Sequence, residues 1–194
     1  MTIRNGLGTV AFLEERYLYP LLKASDVFHN DAPHRMIIVT QTSLTESPGR
    51  LERMAPHLWA YLTANTPRFD SRRSSIYRGR HRFSMFGVGP YTFAPYEIAV
   101  SGLHKEVHFR LISPMADVPV MLDDTCYFLP CDSRGEAQRI LAILETPAVH
   151  AYLDAVVFWD NKRPITKSVL DRIDMAAIAR REGLPWSHPG RMFD

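Results

Sequence analysis

The chain has 194 residues, of which 46% are hydrophobic and 23% are charged, so it can form a sizeable core and is not disordered by composition. The net charge of +2 indicates no partner by itself, and no apolar run approaches the ~18–20 residues that a membrane-spanning helix needs. Two cysteines, Cys126 and Cys131, are too few for a disulfide framework, and the first residues lack a signal-peptide pattern. We therefore expect a cytoplasmic protein that has a single domain over residues 1–181 and a flexible tail over residues 182–194.

The first half of the chain predicts short helices around one buried strand. A proline can open a helical turn over residues 20–23, and a β-branched run predicts a strand over residues 35–40. Apolar residues at helical spacing predict a helix over residues 48–64, with a kink or break at Pro56. A threonine–proline pair then predicts a second short helix, which runs to about Ser75.

The second half predicts strands first and helices afterwards. Three runs rich in β-branched and aromatic residues predict strands over residues 96–100, 107–112 and 126–129, and their short connections favour antiparallel pairing. Three helices follow, with start signals at Ser133, Thr146 and Thr166. This order predicts an α+β fold, with a mixed, mainly antiparallel sheet in the middle of the chain, flanking helices and a C-terminal helical cluster.

The glycine-rich segments lack the context of a nucleotide-binding turn, which lies between a strand and a helix. The segment Asn5–Thr9 has two glycines and no predicted strand before it, so we expect a flexible terminus there. Gly87 and Gly89 precede Pro90, where a helix would have to continue, so they predict a tight turn or a close approach of the backbone to a partner. The sequence therefore predicts neither a cofactor nor catalytic residues in this chain.

Metal-dependent chemistry has one candidate pair of residues. Asp160 and Lys162 have the acid-x-lysine spacing that can hold a divalent ion and orient a water molecule, so a small metal-dependent nuclease is one alternative function. The pair Asp123–Asp124 predicts a turn between two strands. His104 and His108 would converge only on a helix, and their surroundings indicate strands, so we expect no bound metal.

Positive charge is concentrated in one segment. Of the 23 basic residues 19 are arginines, and residues 66–83 contain six of them against one acid, Asp70. Arginine presents a planar fork of donors that suits phosphate oxygens and guanine edges. Aromatic residues are interleaved with these arginines, whereas a solvated charged helix face usually mixes charges of both signs. The segment predicts binding to a nucleic acid, and a protein-interaction module without DNA binding is a further alternative.

Several strings in the sequence resemble one protein family. They lie at residues 20–27, 72–80, 83–96, 100–105, 119–127 and 158–166, and they include RRSSIYRGR, FSMFGVGPYTFAPY and FWDNKRPIT. Together they resemble the C-terminal target-recognition region of adenine-specific DNA methyltransferases from prokaryotic restriction–modification systems. The resemblance spans roughly residues 4–178.

This resemblance implies a domain that binds double-stranded DNA beside a methyltransferase catalytic domain or subunit, which flips the target adenine out of the duplex. It implies S-adenosylmethionine as the cofactor of the parent enzyme and no cofactor in this chain. The family's catalytic motifs are missing here, so either the chain is a fragment of a longer enzyme, which we favour, or it is a stand-alone specificity subunit. The C-terminal helices would then present a docking face for the catalytic portion, with Leu144, Leu153 and Val157 as candidates.

The sequence thus predicts a DNA-recognition domain that has no chemistry of its own. The arginine-rich segment is expected to make the main contacts with phosphates or base edges, and Phe86 is expected to pack in the core. The expected main contacts are Arg72, Arg73, Tyr77, Arg78, Arg80 and Arg82. Weaker phosphate contacts are expected from Lys105, Lys162 and Arg163.

Overall fold

A computed structural model describes residues 1–186, which form two compact units. Unit 1 contains residues 1–19 and 36–90, and unit 2 contains residues 20–35 and the chain from residue 91 on. Each unit is therefore assembled from two separate stretches of the chain. The domain bounds expected from the sequence stay a prediction, and residues 187–194 of the expected tail lie outside the described residues.

The described residues form eight strands and eight α-helices. The strands are β1 (Thr2–Arg4), β2 (Val10–Phe12), β3 (Leu18–Leu22), β4 (Arg35–Ile38), β5 (Tyr96–Ser101), β6 (Arg110–Ile112), β7 (Met121–Leu122) and β8 (Cys126–Cys131). The helices are α1 (Ala24–Phe28), α2 (Leu51–Met54), α3 (Pro56–Ala64), α4 (Thr66–Asp70), α5 (Arg134–Leu144), α6 (Pro147–Val156), α7 (Lys167–Leu170) and α8 (Met175–Glu182). Short 3₁₀ helices occupy Glu15–Tyr17, Pro48–Arg50, Ser75–Tyr77 and Pro90–Phe93.

The sheets are mixed and mainly antiparallel, which confirms the predicted α+β class. β1 pairs antiparallel with β2, and β5 lies between β6 and β8 and is antiparallel to both. In unit 2, the last residues of β3 pair in parallel with β7. The strands predicted in the middle of the chain are therefore present, and so is their antiparallel pairing.

Unit 1 packs its short helices on a small apolar core. Leu51, Leu58 and Leu62 are fully buried or nearly so, as their helical spacing predicts. The predicted helix over residues 48–64 is divided at Pro56, which begins α3 because proline is favoured in a first helical turn. The carboxylate of Glu14 accepts the backbone N–H groups of the first turn of α3, and these bonds outweigh the effect of burial and lower its pKa.

The amino terminus of unit 1 is an ordered hairpin, so the expectation of a flexible terminus is wrong. The loop Asn5–Thr9 connects β1 to β2, and the Oδ1 atom of Asn5 accepts hydrogen bonds from the backbone N–H groups of Leu7 and Thr9, both at 3.0 Å. Gly8 has a φ angle of +83°, which glycine adopts without strain. Because this turn connects two antiparallel strands rather than a strand and a helix, its geometry does not fit a nucleotide cofactor.

Unit 2 carries an apolar core on each face of its β5-centred sheet. Since side chains alternate along a strand, Ile98 and Val100 pack in a core with the C-terminal helices, whereas Ala99 packs in a second core with Val27 of α1. Gly102 follows β5 and has close neighbours at the position where a side chain would lie. A Cβ added there would lie 3.0 Å from a backbone oxygen and 3.0 Å from the Tyr127 ring. A side chain at that position would therefore force the neighbouring backbone to move.

The central strand also buries an acid. Glu97 is 2% exposed, its Oε2 atom has no hydrogen-bond partner, and it shares the sheet face of Ala99. Burial raises the pKa of Glu97 well above the usual carboxyl value, so the protonated form is favoured in the folded chain.

The C-terminal helices form the larger core, and the three residues predicted to lie on a docking face are inside it. Leu144 and Leu153 are fully buried and Val157 is 7% exposed, so all three belong to the core of unit 2 and that prediction is wrong. Helix α8 ends at Glu182 and is capped by Gly183, and the N–H of Leu184 bonds to the oxygen of Ala179 in the pattern of a Schellman cap. Leu184 and Trp186 pack against the same core, so the first residues of the expected tail are ordered.

Two other predicted elements differ from the structure. The residues from Pro20 onward continue strand β3 rather than form a helical turn, because this apolar run is buried and its end pairs with β7. The short helix predicted up to Ser75 ends at Asp70. In the part of the chain that the structure describes, no helix combines the length and apolar character that crossing a membrane requires.

Candidate nucleic-acid interface

The arginine-rich segment lies entirely in unit 1 and has little regular structure of its own. It begins on α4, which has Pro67 in its first turn, continues through the 3₁₀ helix Ser75–Tyr77 and ends in a loop before Phe83. Gly79 has a φ angle of +72° and turns the chain between Arg78 and Arg80. With such short elements, the position of the segment depends on side-chain contacts.

A group of aromatic side chains supplies these contacts. Phe83 is 4% exposed and packs edge-to-face on Phe69 and Trp59, with ring centroids 5.0 and 5.2 Å away. His81 lies 5.5 Å from Phe83 and 5.9 Å from Trp59, between ring centroids. The two ends of the arginine-rich segment are thus joined through Phe69 and Phe83.

Arg72 is held inside this arrangement. Its guanidinium lies 4.6 Å from the centroid of the Phe69 ring and 4.4 Å from that of the Tyr77 ring, and Nη1 donates a hydrogen bond of 2.9 Å to the carbonyl oxygen of Ser84. Both distances are typical of cation–π contacts. Arg72 therefore connects α4, the 3₁₀ helix and the loop after Phe83, which is a structural role that the sequence did not indicate.

The side chains of the segment surround one open pocket of about 820 Å³. Five arginines and one acid line it together with four aromatic residues, a histidine and small polar residues. The full lining is Trp59, Thr63, Thr66, Phe69, Asp70, Arg72, Arg73, Ser74, Tyr77, Arg78, Arg80, His81, Arg82 and Phe83. All six residues that the sequence predicted as main DNA contacts are therefore brought together.

Like Arg72, three more of the five arginines have no carboxylate partner among the described residues. Arg73 and Arg78 are exposed and make neither an ion pair nor a side-chain hydrogen bond, and Arg80 donates to the backbone oxygen of Leu44 at 3.4 Å. Arg78 and Arg80 also line a neighbouring depression of about 470 Å³. These guanidinium groups keep nearly all their donors available to an anion.

Arg82 differs from these three because it has an acidic partner. Its Nε lies 2.8 Å from Oδ1 of Asp70, and both side chains are about half exposed, at 50% and 52%. The pair joins the end of α4 to the residue before Phe83.

His81 is expected to be neutral at physiological pH. Its Nδ1 accepts the backbone N–H of Phe83 at 3.2 Å, so this nitrogen carries no proton in that contact. Burial, and secondarily the positive charge of Arg82, lowers the pKa of His81 below its usual value. The positive charge of the pocket therefore comes from its arginines and not from His81.

The three weaker predicted contacts lie in unit 2, where two of them have acidic partners. Lys105 is 3.7 Å from Asp160, and Arg163 contacts both the carboxylate and the backbone oxygen of Asp124, at 3.4 and 3.2 Å. Lys162 is exposed. Since two of these cations are already paired, they offer less to a phosphate than Arg73 or Arg78 does.

The residues that the sequence offered as possible metal ligands are exposed to solvent, form a turn or stack on an aromatic ring. The Asp160 carboxylate is fully exposed, and within residues 1–186 no three His, Cys, Asp or Glu side chains are grouped closely enough to hold a metal ion. Asp123 and Thr125 form the predicted turn before β8, where the aspartate accepts the threonine backbone N–H at 3.1 Å. His104 and His108 both stack on Phe28, at 3.9 and 4.6 Å between ring centroids.

Phe86, Gly87 and Gly89 follow the arginine-rich segment in the chain, and they agree with the sequence predictions only in part. Gly87 has a φ angle of +69° and is exposed, as a tight turn requires. Gly89 is buried and is not among the described glycines with positive φ, so a close approach of the backbone at Gly89 stays a prediction. Phe86 is 56% exposed, so the expectation that it packs in the core is wrong.

Several residues of the pocket were not predicted from the sequence. Trp59 and Thr63 lie outside the arginine-rich segment, on one face of α3, and their i, i+4 spacing is the signal that would have placed them together. His81 lies within the segment, and its place in the pocket depends on its contacts with Phe83 and Trp59, which the sequence does not show. The ion pair of Asp70 could not be predicted, because its partner is twelve residues away.

Comparison with known proteins shows one extensive similarity. The chain is 40% identical over 181 residues to the type II methyltransferase M.NspV of Nostoc sp. (strain ATCC 29411 / PCC 7524). The aligned residues make up 92% of this chain but 38% of that protein, so the chain spans little more than a third of its relative. No family model matches the chain. The predicted resemblance to part of a methyltransferase is therefore confirmed.

Proposed function

We propose that this chain is a DNA-recognition region related to restriction–modification methyltransferases, and that the arginine pocket of unit 1 is its DNA-binding site. The observation that carries the proposal is the convergence of five arginines on one pocket that contains one acid. So many like charges repel one another in the absence of an anion, and a phosphate backbone relieves that repulsion.

The chemistry of the pocket suits DNA better than a small anion. Its volume of about 820 Å³ is open to solvent, and aromatic side chains lie beside the guanidinium groups. Arg73, Arg78 and Arg80 bind phosphates in this proposal, while Tyr77 is available to pack on a sugar or a base. Arg72 holds the site together through Phe69 and Tyr77 rather than binding DNA itself.

Methyl transfer is assigned to another part of the enzyme. The relative is a methyltransferase of which this chain matches 38%, and the glycine-containing turn of unit 1 does not fit a nucleotide cofactor. We therefore propose that S-adenosylmethionine and the catalytic residues belong to a methyltransferase domain or subunit that acts with this chain, with adenine as the methylated base.

The test is the salt dependence of DNA binding. Fluorescence anisotropy would measure the affinity of the chain for a labelled duplex of mixed sequence, about 25 base pairs long, between roughly 50 and 200 mM NaCl. The triple variant Arg73→Ala, Arg78→Ala, Arg80→Ala is expected to reduce the slope of log K against log[salt] by about 2–3, because each lost phosphate contact contributes ~0.9. Non-specific binding by the parent chain is expected with a Kd on the order of 10⁻⁴–10⁻⁶ M.

A matched control removes the same charge elsewhere. Arg134, Arg139 and Arg180 are exposed and lie in unit 2, so the corresponding triple alanine variant changes the net charge equally without touching the pocket. Its salt slope should stay close to that of the parent. Equal slopes for the two triple variants, or no binding by the parent at the lowest salt concentration, would contradict the proposed site.

A further inference from the structure

Asp70 is the one acid among the described residues that line the arginine pocket. An ionised carboxylate only accepts hydrogen bonds, and phosphate oxygens also only accept, so Asp70 cannot contact a phosphate directly. Its negative charge also repels the DNA backbone. A pocket that served phosphate binding alone would bind more tightly without this residue, which indicates that Asp70 has another role.

The structure holds Asp70 and Arg82 in a defined mutual position. Phe69 precedes Asp70 and Phe83 follows Arg82, and these two rings contact each other with centroids 5.0 Å apart. Because Phe83 is only 4% exposed, the backbone on both sides of the ion pair is anchored in the core of unit 1. The two charged groups are thus positioned before any ligand binds.

The pair leaves both an acceptor and donors available. The ion pair joins Arg82 Nε to Asp70 Oδ1 at 2.8 Å, so the terminal guanidinium nitrogens and the second carboxylate oxygen are not used by it. Both side chains line the pocket and are about half exposed. A neighbouring acceptor and donor match the major-groove edge of a base pair, where the amino group of adenine lies beside N7 of the same base and that of cytosine lies beside O6 of the paired guanine.

We propose that Asp70 and Arg82 act together as the sequence-determining contact of this pocket, with the carboxylate accepting from the exocyclic amino group of an adenine or a cytosine. The proposal rests on the proposed function, because it requires DNA in the pocket. The arginines then have two distinct roles. Arg73, Arg78 and Arg80 supply affinity for any duplex, while Arg82 is directed by Asp70 to a base.

The experiment is a selection from a random duplex library with the full chain, followed by sequencing and anisotropy on the enriched duplex. Asp70→Ala is expected to lose the preference for an amino-bearing base at one position and to shift it toward guanine, which a freed arginine favours. The ratio of affinities for enriched and unrelated duplexes should fall about 5- to 150-fold, the range for one base contact. Asp70→Asn keeps an acceptor oxygen without the charge and should retain part of the preference.

The control variant is Glu52→Gln, because Glu52 is exposed on α2 and does not line the pocket. It should enrich the same sequence as the parent, and circular dichroism confirms that every variant is folded. If Asp70→Ala and Asp70→Asn bind all duplexes more tightly by the same factor, Asp70 only repels phosphates and the proposal is overturned. Binding by the parent without any enriched sequence also overturns it while DNA binding stands, whereas no binding at all overturns the proposed function as well.

Discussion

Arg72 and Arg73 are neighbours in the chain, but the structure predicts that replacing Arg72 by alanine lowers stability whereas replacing Arg73 by alanine does not. Arg72 makes two cation–π contacts, worth ~0.5–1 kcal/mol each at partly exposed sites, and one hydrogen bond from a charged donor, worth ~1.5–3 kcal/mol. Since the side chain is only half-buried, we take the lower end, and Arg72→Ala should reduce the free energy of unfolding by about 2–3 kcal/mol.

Arg73 makes no such contacts, so under the proposed function its replacement is expected to act on DNA binding instead. Arg73→Ala should change the free energy of unfolding by less than about 0.5 kcal/mol, as is usual for an exposed residue. It should reduce the slope of log K against log[salt] by about 0.9, the contribution of one phosphate contact. Both quantities are measurable on one preparation, by urea unfolding followed by circular dichroism and by anisotropy with a labelled duplex.

Arg72→Lys separates the effect of charge from that of shape. Lysine keeps the positive charge but lacks the planar guanidinium that contacts both rings, so the variant should be nearly as unstable as Arg72→Ala. Recovery of parental stability by lysine, or equal losses of stability for the alanine variants of Arg72 and Arg73, would refute the structural role assigned to Arg72.

Three further predictions concern unit 2. Glu97 is protonated in the folded chain and ionises on unfolding at any pH above the usual carboxyl pKa, so the parent should lose stability as the pH rises above that value. Glu97→Gln should remove this loss, which melting temperatures from acidic to mildly alkaline pH would measure. Gly102→Ala should lower the free energy of unfolding by about 1–3 kcal/mol, since the new Cβ meets its neighbours at 3.0 Å. The two cysteines should resist iodoacetamide at mildly alkaline pH in the native chain and react in urea, because burial raises both thiol pKa values, that of Cys131 to about 12.

Each of these predictions has a clear contrary result. Identical pH profiles for the parent and Glu97→Gln would show that the buried carboxyl does not control the profile. Gly6→Ala is the control for Gly102→Ala, because an added Cβ at Gly6 meets nothing within 4 Å, and equal losses for the two would contradict the crowding argument. Rapid labelling of the native thiols would contradict their burial.

The arginine-rich segment could be identified from the sequence because its signal is local, while its binding to DNA stays a prediction. Arginines that recur over residues 72–82 need no tertiary information to be recognised, and the structure gathers all of them around one pocket. The distinction between Arg72 and Arg73 is not local, because it depends on where the rings of Phe69 and Tyr77 lie. Composition could therefore identify the segment but could not assign a role to each arginine.

The fold was predictable where side-chain periodicity was clear and less so elsewhere. The β-branched run in β5 and the helical spacing around Leu58 identify a strand and a helix correctly. The two-residue strand β7 is too short to show any period, and proline in β3 suggested a helix start although the strand is held by burial and pairing. Leu144 looked like an interface residue because an apolar residue on a helix has the same pattern whether it faces a core or a partner.

The discontinuous construction of the units bears on how the arginine pocket can be exchanged between relatives. Unit 1 requires two stretches of chain, so neither unit can be obtained by a single truncation. Every residue that lines the arginine pocket, however, lies within the continuous stretch 59–83. One cassette replacement across that stretch would therefore exchange the whole lining of the pocket at once, together with the part of the unit 1 core that Leu62 and Phe83 form.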